Sequence, residues 1–267
     1  MAGADDSASY LAKYLARLDG LVRDLRIAIS LCTRLPVAPS AAIGEGDVGR
    51  ASWAFPIAGA LIGLIAGAVY WLADRLHIPP ISASVLALAA CVLLTGAMHE
   101  DGLADTADGF GGGNTREKKL EIMRDSRIGT FGACALGLSL LLRWSALVAL
   151  QDTRSVMVAL IVAHGAARSV LPAFMSLVAP ARRDGLSSGA GQPPPISLAV
   201  AFGLGIVALS IGFGLGAMLT GLGLLAAIGF LLALLARRQI GGQTGDVLGA
   251  LEQLAEAALL LLATTLP

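Results

Sequence analysis

Seven stretches of this chain are apolar over the length a bilayer demands, and no other feature of the sequence constrains the fold as much. A hydrocarbon core of about 30 Å takes roughly 20 helical residues at about 1.5 Å each. Stretches of that kind run near residues 52–73, 80–98, 130–151, 155–178, 196–213, 218–236 and 247–266. The segment 196–236 carries no charge and is long enough for two passes, with the turn expected at 214–221, where glycine and threonine weaken a helix. Charged residues make up 14% of the chain, against about 25% in a soluble domain. With so little charge and so much Leu, Ile and Val, neither a water-coated globule nor a disordered chain fits. Basic and acidic residues balance at 19 each, so nothing marks a nucleic-acid partner. The three cysteines, Cys32, Cys91 and Cys134, form no Cys-x-x-Cys or Cys/His spacing, and neither a disulfide frame nor a zinc site is expected. The expected fold is all-α: a polytopic membrane protein with about seven transmembrane helices, preceded by an amphipathic segment over residues 1–50, with the transmembrane domain over 51–267.

Loop charge tests that count, because a wrong number of passes would scramble the alternation of Lys and Arg. Six basic residues precede the first span: Lys13, Arg17, Arg23, Arg26, Arg34 and Arg50. The following loops hold Arg75; then Arg116, Lys118, Lys119, Arg124 and Arg127; then Arg154; then Arg182 and Arg183; then none; then Arg237 and Arg238. Alternate sides therefore collect fifteen basic residues against two. This places the N-terminus and the loops 99–129, 179–195 and 237–246 in the cytoplasm, and the C-terminus outside. Met1 to Ser9 is acidic and no short apolar region with a small-residue cleavage site follows, which does not describe a cleaved signal peptide. From Tyr10 to Leu35, Leu11, Leu15, Leu18, Leu21, Val22, Leu25 and Ile29 recur at helical spacing with Lys13, Arg17 and Arg23 between them. That pattern suits a helix lying on the anionic cytoplasmic lipid face, and equally a basic topology anchor. Pro193-Pro194-Pro195 reads as a stiff connector that starts a span.

The chemistry concentrates in His99-Glu100-Asp101-Gly102-Leu103-Ala104-Asp105-Thr106-Ala107-Asp108-Gly109, after the second span. On a helix Asp101, Asp105 and Asp108 fall at about 0°, 40° and −20°, so one face carries three carboxylates. Like charges at that spacing repel, and desolvation beside a membrane adds to the cost. Arg116, Lys118 and Lys119 are candidate partners. Three oxygen donors on one face also suit a hard divalent ion, Mg²⁺ where phosphate completes its shell. The plainer alternative is a solvated acidic helix end. Gly111-Gly112-Gly113 is either a linker or a close approach of backbone to phosphate.

Two further segments lie on the same side. Arg124-Asp125-Ser126-Arg127 suits a guanidinium clamp on phosphate, or an ordinary salt-bridged loop. Gly241-Gly242-Gln243-Thr244-Gly245-Asp246 opens the last span; Asp246 adds a metal ligand there, free N–H groups hold an anion, or Thr244 and Asp246 cap the helix. Within the spans, His164 and Arg168 stand four apart, as do Glu252 and Glu256. Arg168 is expected to pair with Glu256, either to fix helix register or to serve function. Arg143 is expected near the outer face, snorkelling.

With these motifs in place the chain resembles the cobalamin synthase family, the adenosylcobinamide-GDP ribazoletransferases. The likeness rests on Thr33-Arg34-Leu35-Pro36, Phe55-Pro56, the run from His99 to Gly109, the run from Ile122 to Thr130, and Gly241 to Asp246 continuing through Gly249-Ala250 to Glu252 and Glu256. It implies a Mg²⁺-dependent membrane enzyme in which the 3′-hydroxyl of α-ribazole, or of its 5′-phosphate, attacks the cobinamide-side phosphorus of adenosylcobinamide-GDP and releases GMP. Carried onto this chain, the resemblance gives Asp101, Asp105 and Asp125 as catalytic candidates. Substrate-binding candidates are His99, Arg124, Arg127, Arg168, Thr244 and Glu256; metal ligands are Asp101, Asp105, Asp108 and Asp246. A homo-oligomer, or a complex with other corrinoid-pathway enzymes, is left open. Two alternatives stand beside it. Asp105-Thr106-Ala107-Asp108-Gly109 copies the start of a CDP-alcohol phosphotransferase signature, although Gly112 and Gly113 stand where alanine and arginine belong. A cation-coupled transporter would need acids spread across the membrane.

Overall fold

A computed structural model describes residues 2–37, 39, 41–182 and 189–266. No strand occurs among them. Their elements are α1 (Ala2–Cys32), α2 (Asp47–Ala51), a 3₁₀ turn (Ser52–Ala54), α3 (Phe55–Arg75), α4 (Pro80–Thr95), α5 (Met98–Gly112), α6 (Arg116–Ile122), α7 (Thr130–Leu150), α8 (Thr153–Ser169), α9 (Leu171–Leu177), α10 (Pro195–Ile240) and α11 (Gly245–Ala263). The all-α expectation holds.

Each expected span coincides with a helix, yet fewer than seven are long and apolar enough to cross a membrane by themselves. Among the described residues four qualify, or five when the bent pair α4–α5 counts as one. Two local facts separate the counts. First, α11 carries Asp246, Glu252 and Glu256, too many acids for an apolar window. Second, α10 runs for 46 residues with non-helical Gly214 (φ 83°, ψ 163°) inside it. Straight, it would reach about 69 Å, more than twice the bilayer core. It is not straight: Ser210 Oγ lies 2.9 Å from Met218 Sδ, although eight residues of unbroken helix separate ends by about 12 Å. The break at Gly214 therefore folds α10 back on itself, inside the expected turn, at a positive φ that glycine tolerates. Pro194 and Pro195 start α10 as expected. The expected span over 155–178 breaks at Val170 into α8 and α9.

Helix α3 packs on α8 more extensively than any other pair. Gly59 and Gly63 make this possible, since a Cβ on either would collide with the carbonyl of His164 or Leu160. Small residues four apart admit this closeness between membrane helices. Outward, Leu64, Leu138, Leu142, Ile211, Leu219 and Phe230 are exposed, an apolar surface that lipid solvates and water does not. On α1, Tyr14, Leu15, Leu18, Leu21 and Val22 are likewise exposed, while Leu25 and Ile29 pack on the core. Arg50 and Trp53 both donate to the Asp24 carboxylate, tying the end of α1 to the bundle.

The loops expected on one side do meet at one end. Gln243 pairs with the 179–181 backbone, accepting from Ala181 N at 2.8 Å and donating to Ala179 O at 2.9 Å. Arg116 donates to Ala181 O, and Gly49 N to Ala190 O. Arg183 lies outside the described residues.

Candidate active site

The site is built where α5 leaves α4. Gly96 (φ 67°) and Ala97 (φ 59°) turn the chain, and the axes of α4 and α5 diverge by 87°. The turn is braced by the 33–36 motif: Arg34 N donates to Leu94 O at 2.7 Å, and its guanidinium covers the Gly96 Cα so closely that a Cβ would collide. Helix α5 then crosses α11 toward α7. Its Gly102 abuts the Asp246 backbone and Gly249 at the start of α11, and its far end reaches the N-terminus of α7.

This crossing sorts the aspartates. Asp101 and Asp246 both line a cavity of about 250 Å³, together with His99 and apolar residues that include Val48, Phe55, Leu171 and Met175. Asp105, on the same face of α5, is half-buried. Burial, with Asp101, Asp246 and Asp108 nearby, pushes its carboxyl up to about 7. Burial likewise raises Asp246, against Thr244 and Arg182, whose Nη2 lies 3.6 Å away. The lysines and arginine expected to neutralise this face turn elsewhere. Lys119 donates to the α5 carbonyl of Phe110, Lys118 pairs with Glu121, and Arg116 holds Ala181 O.

Asp108 has another task. Its two oxygens accept from Gly129 N at 2.7 Å and Gly132 N at 2.8 Å, so it caps the positive end of α7. No three of the four aspartates bring oxygens within 4.8 Å of one another among the described residues. The group that does is His164, Glu252 and Glu256.

That second cluster corrects two expectations. Arg168 pairs with Glu252 at 2.6 Å, not with Glu256. Glu256 is held by His164 Nδ1 at 3.0 Å and Arg143 Nη1 at 3.1 Å. Arg143 does not snorkel; it is 0% exposed and also reaches Glu100 at 3.2 Å. A buried guanidinium needs counter-charge, and two carboxylates from α5 and α11 supply it. Arg143 and Arg168 already stand against these acids and offset two of the three carboxylates Glu100, Glu252 and Glu256. The substrate-binding roles expected of Arg168 and Glu256 therefore do not fit, because both are sealed inside this network. Thr244 is also fully buried; it caps α11, accepting from Val247 N and donating to Asp246.

Asp125 and Arg127 form a two-pronged pair, the shortest contact 2.6 Å, in an exposed loop lining a separate groove with Asp108 and Gly129. Arg127 holds Asp125 down at about 2, which makes it a feeble base and argues against a catalytic role. Of the expected site residues, His99, Asp101 and Asp246 are brought to one cavity, with Asp105 alongside. Arg34 and Arg143 were missed; a lone arginine inside an apolar run is the signal that pointed to Arg143.

The cobalamin-5-phosphate synthase family model matches residues 24–264. An adenosylcobinamide-GDP ribazoletransferase of Bradyrhizobium diazoefficiens is 58% identical over 91% of this chain and 94% of its own length. One from Mesorhizobium japonicum is 48% identical over 91% and 93%, and one from Azorhizobium caulinodans 45% over 90% and 95%. No solved structure matches. With the match spanning the bend, the crossing helix and the start of α11, the chain belongs to the cobalamin-5-phosphate synthase family.

Proposed function

We propose that this protein joins adenosylcobinamide-GDP to α-ribazole, or to its 5′-phosphate, and releases GMP at the cytoplasmic face of the inner membrane. The observation that carries the reading is the convergence of Asp101, from α5, and Asp246, from α11, on one cavity beside a backbone-to-backbone helix contact. The donors on this face are carboxylate oxygens repelling one another, a set suited to a hard cation. Asp101 and Asp246, with Asp105, would hold Mg²⁺, which neutralises pyrophosphate charge when bound. In the transfer the ribose 3′-oxygen bonds to the cobinamide-side phosphorus, the bridging P–O bond to GMP breaks, and the hydroxyl proton goes to a carboxylate. The close contact at Gly102 fixes the two helices, so positioning and charge stabilisation come preorganised, as phosphoryl transfer requires.

Purified protein in liposomes, given adenosylcobinamide-GDP, α-ribazole and Mg²⁺, is expected to yield GMP and a cobalamin product, and EDTA to stop both. Asp101→Ala is expected to abolish turnover. Retention of a tenth of the activity, only about 1.4 kcal/mol in barrier, would remove it from direct contact with the reacting groups. GMP release independent of α-ribazole would make the protein a hydrolase. Sidedness follows from the loop charges: exposed Asn114 and Lys118 should label from one face and Asp152 from the other.

A further inference from the structure

We infer that the 250 Å³ cavity beside Asp101 and Asp246 is the pocket for the aromatic base of the acceptor nucleoside, and not for the corrin or the guanine of the donor. The inference rests on the transferase reading and adds to it which substrate part goes where.

Size decides against the corrin. Pockets for drug-sized ligands run about 300–1,000 Å³, so 250 Å³ suits a fused two-ring base and is too small to enclose a macrocycle with its peripheral amides. Polarity decides against guanine. Val48, Phe55, Leu171 and Met175 make most of the lining apolar; once Asp101 and Asp246 hold the metal, only His99 and the Cys32 thiol are left to pair guanine's several donors and acceptors. Leaving such groups buried without partners is costly. A benzimidazole-type base, one ring nitrogen bonded to ribose, has a single bare nitrogen to satisfy.

His99 is placed for that nitrogen. It lines the cavity and its Nδ1 lies 3.5 Å from Arg168 Nη2. Arginine only donates, so Nδ1 accepts and Nε2 carries the proton, leaving Nε2–H as a donor. Arg168 is itself fixed by Glu252, so the buried network sets this tautomer. Asp101 and Asp246 line the same cavity, so a base seated there brings its ribose, and with it the attacking hydroxyl, to the carboxylates. The apolar walls thus determine which base is accepted, and Phe55 and Met175 are specificity-determining residues.

The test measures binding and turnover separately, on the full chain in detergent. Val48→Phe shrinks the cavity and should weaken α-ribazole binding by tenfold or more, by titration of the benzimidazole fluorescence. Affinity for adenosylcobinamide-GDP should stay within twofold, which also shows the variant is folded. Met175→Ala enlarges the cavity and should shift the kcat/KM ratio toward a riboside with a bulkier base by at least fivefold. A Val48→Phe effect on the donor in place of the acceptor, or on neither, overturns the assignment. If turnover proceeds and the KM for α-ribazole ignores cavity filling, the pocket assignment fails and the transferase reading stands. If α-ribazole binds, filling abolishes binding, and no GMP is released, the transferase reading fails and the nucleoside pocket stands.

Discussion

Replacing Arg143 tests whether the buried ion network holds the site together. Its guanidinium is 0% exposed, 3.1 Å from Glu256 and 3.2 Å from Glu100. Arg143→Met leaves three buried glutamates, Glu100, Glu252 and Glu256, facing the single guanidinium of Arg168. Removing one partner of a buried pair costs about 3–5 kcal/mol, chiefly because the other charge is stranded without water. For a chain of this size about 1 kcal/mol lowers Tm by roughly 2–4 °C, so a drop of about 6–20 °C is expected. Tryptophan fluorescence in detergent at one fixed heating rate reads it, since membrane proteins commonly unfold irreversibly. The same accounting predicts recovery: adding Glu100→Gln and Glu256→Gln removes the stranded charge and should restore at least half the loss. If Arg143→Met melts within about 2 °C of wild type, or the triple variant no higher than the single one, the network does not carry the stability assigned to it.

Further expectations follow from the crossing helix. Asp105 rises from 3.8 to about 7 on folding, so the folded chain favours its protonated form. Without a divalent ion, stability should fall as pH rises from about 4 through 7. Mg²⁺ competes with that proton, so its apparent affinity should climb over about pH 6–8; Asp105→Asn should flatten the slope in a metal titration. Asp108→Ala uncaps α7 and should cost about 1–2 kcal/mol of stability while leaving the Mg²⁺ concentration for half-maximal activity within threefold; a tenfold rise would return Asp108 to the metal. Gly102→Ala places a methyl 2.8 Å from Asp246 O; overpacking of that kind costs about 1–3 kcal/mol and, by parting α5 from α11, should lower kcat at least tenfold. Full activity would show that the backbone contact is not needed.

What the sequence discloses here depends on range. Helices were legible because apolar length is local. The Gly214 turn was legible because two passes must fit about 60 Å of chain, and the gathering of the basic loops at one end because charge asymmetry is a global count. The three-carboxylate face was legible from angle alone, but its division of labour was not: Asp101, Asp105 and Asp108 share a face, and only the neighbours decide between them. Asp108 falls to α7 because Gly129 and Gly132 present unpaired N–H groups to it, a meeting over more than twenty residues that no local pattern encodes.

The pairing of buried charges was misread for a related reason. Equal depth favoured Arg168 with Glu256, and the axial offset between α8 and α11 was invisible; Glu252 and Glu256 lie one turn apart on the same face of α11, and α8 offers Arg168 to the first and His164 to the second. That leaves Glu256 available to Arg143, and Arg143 in turn reaches Glu100, the residue beside Asp101. The consequence is mechanical as well as electrostatic. Helix α5 is held at its start by Glu100 on Arg143, in its middle by Gly102 on α11, and at its far end by Asp108 on α7. A helix pinned at three points cannot relax to expose or separate its aspartates, so their burial and, after it, their mutual repulsion persist in the folded chain and show as the raised carboxyl of Asp105. Any cation that binds this face is therefore drawn by energy already stored in the fold, and loosening one pin should weaken metal binding without touching a ligand.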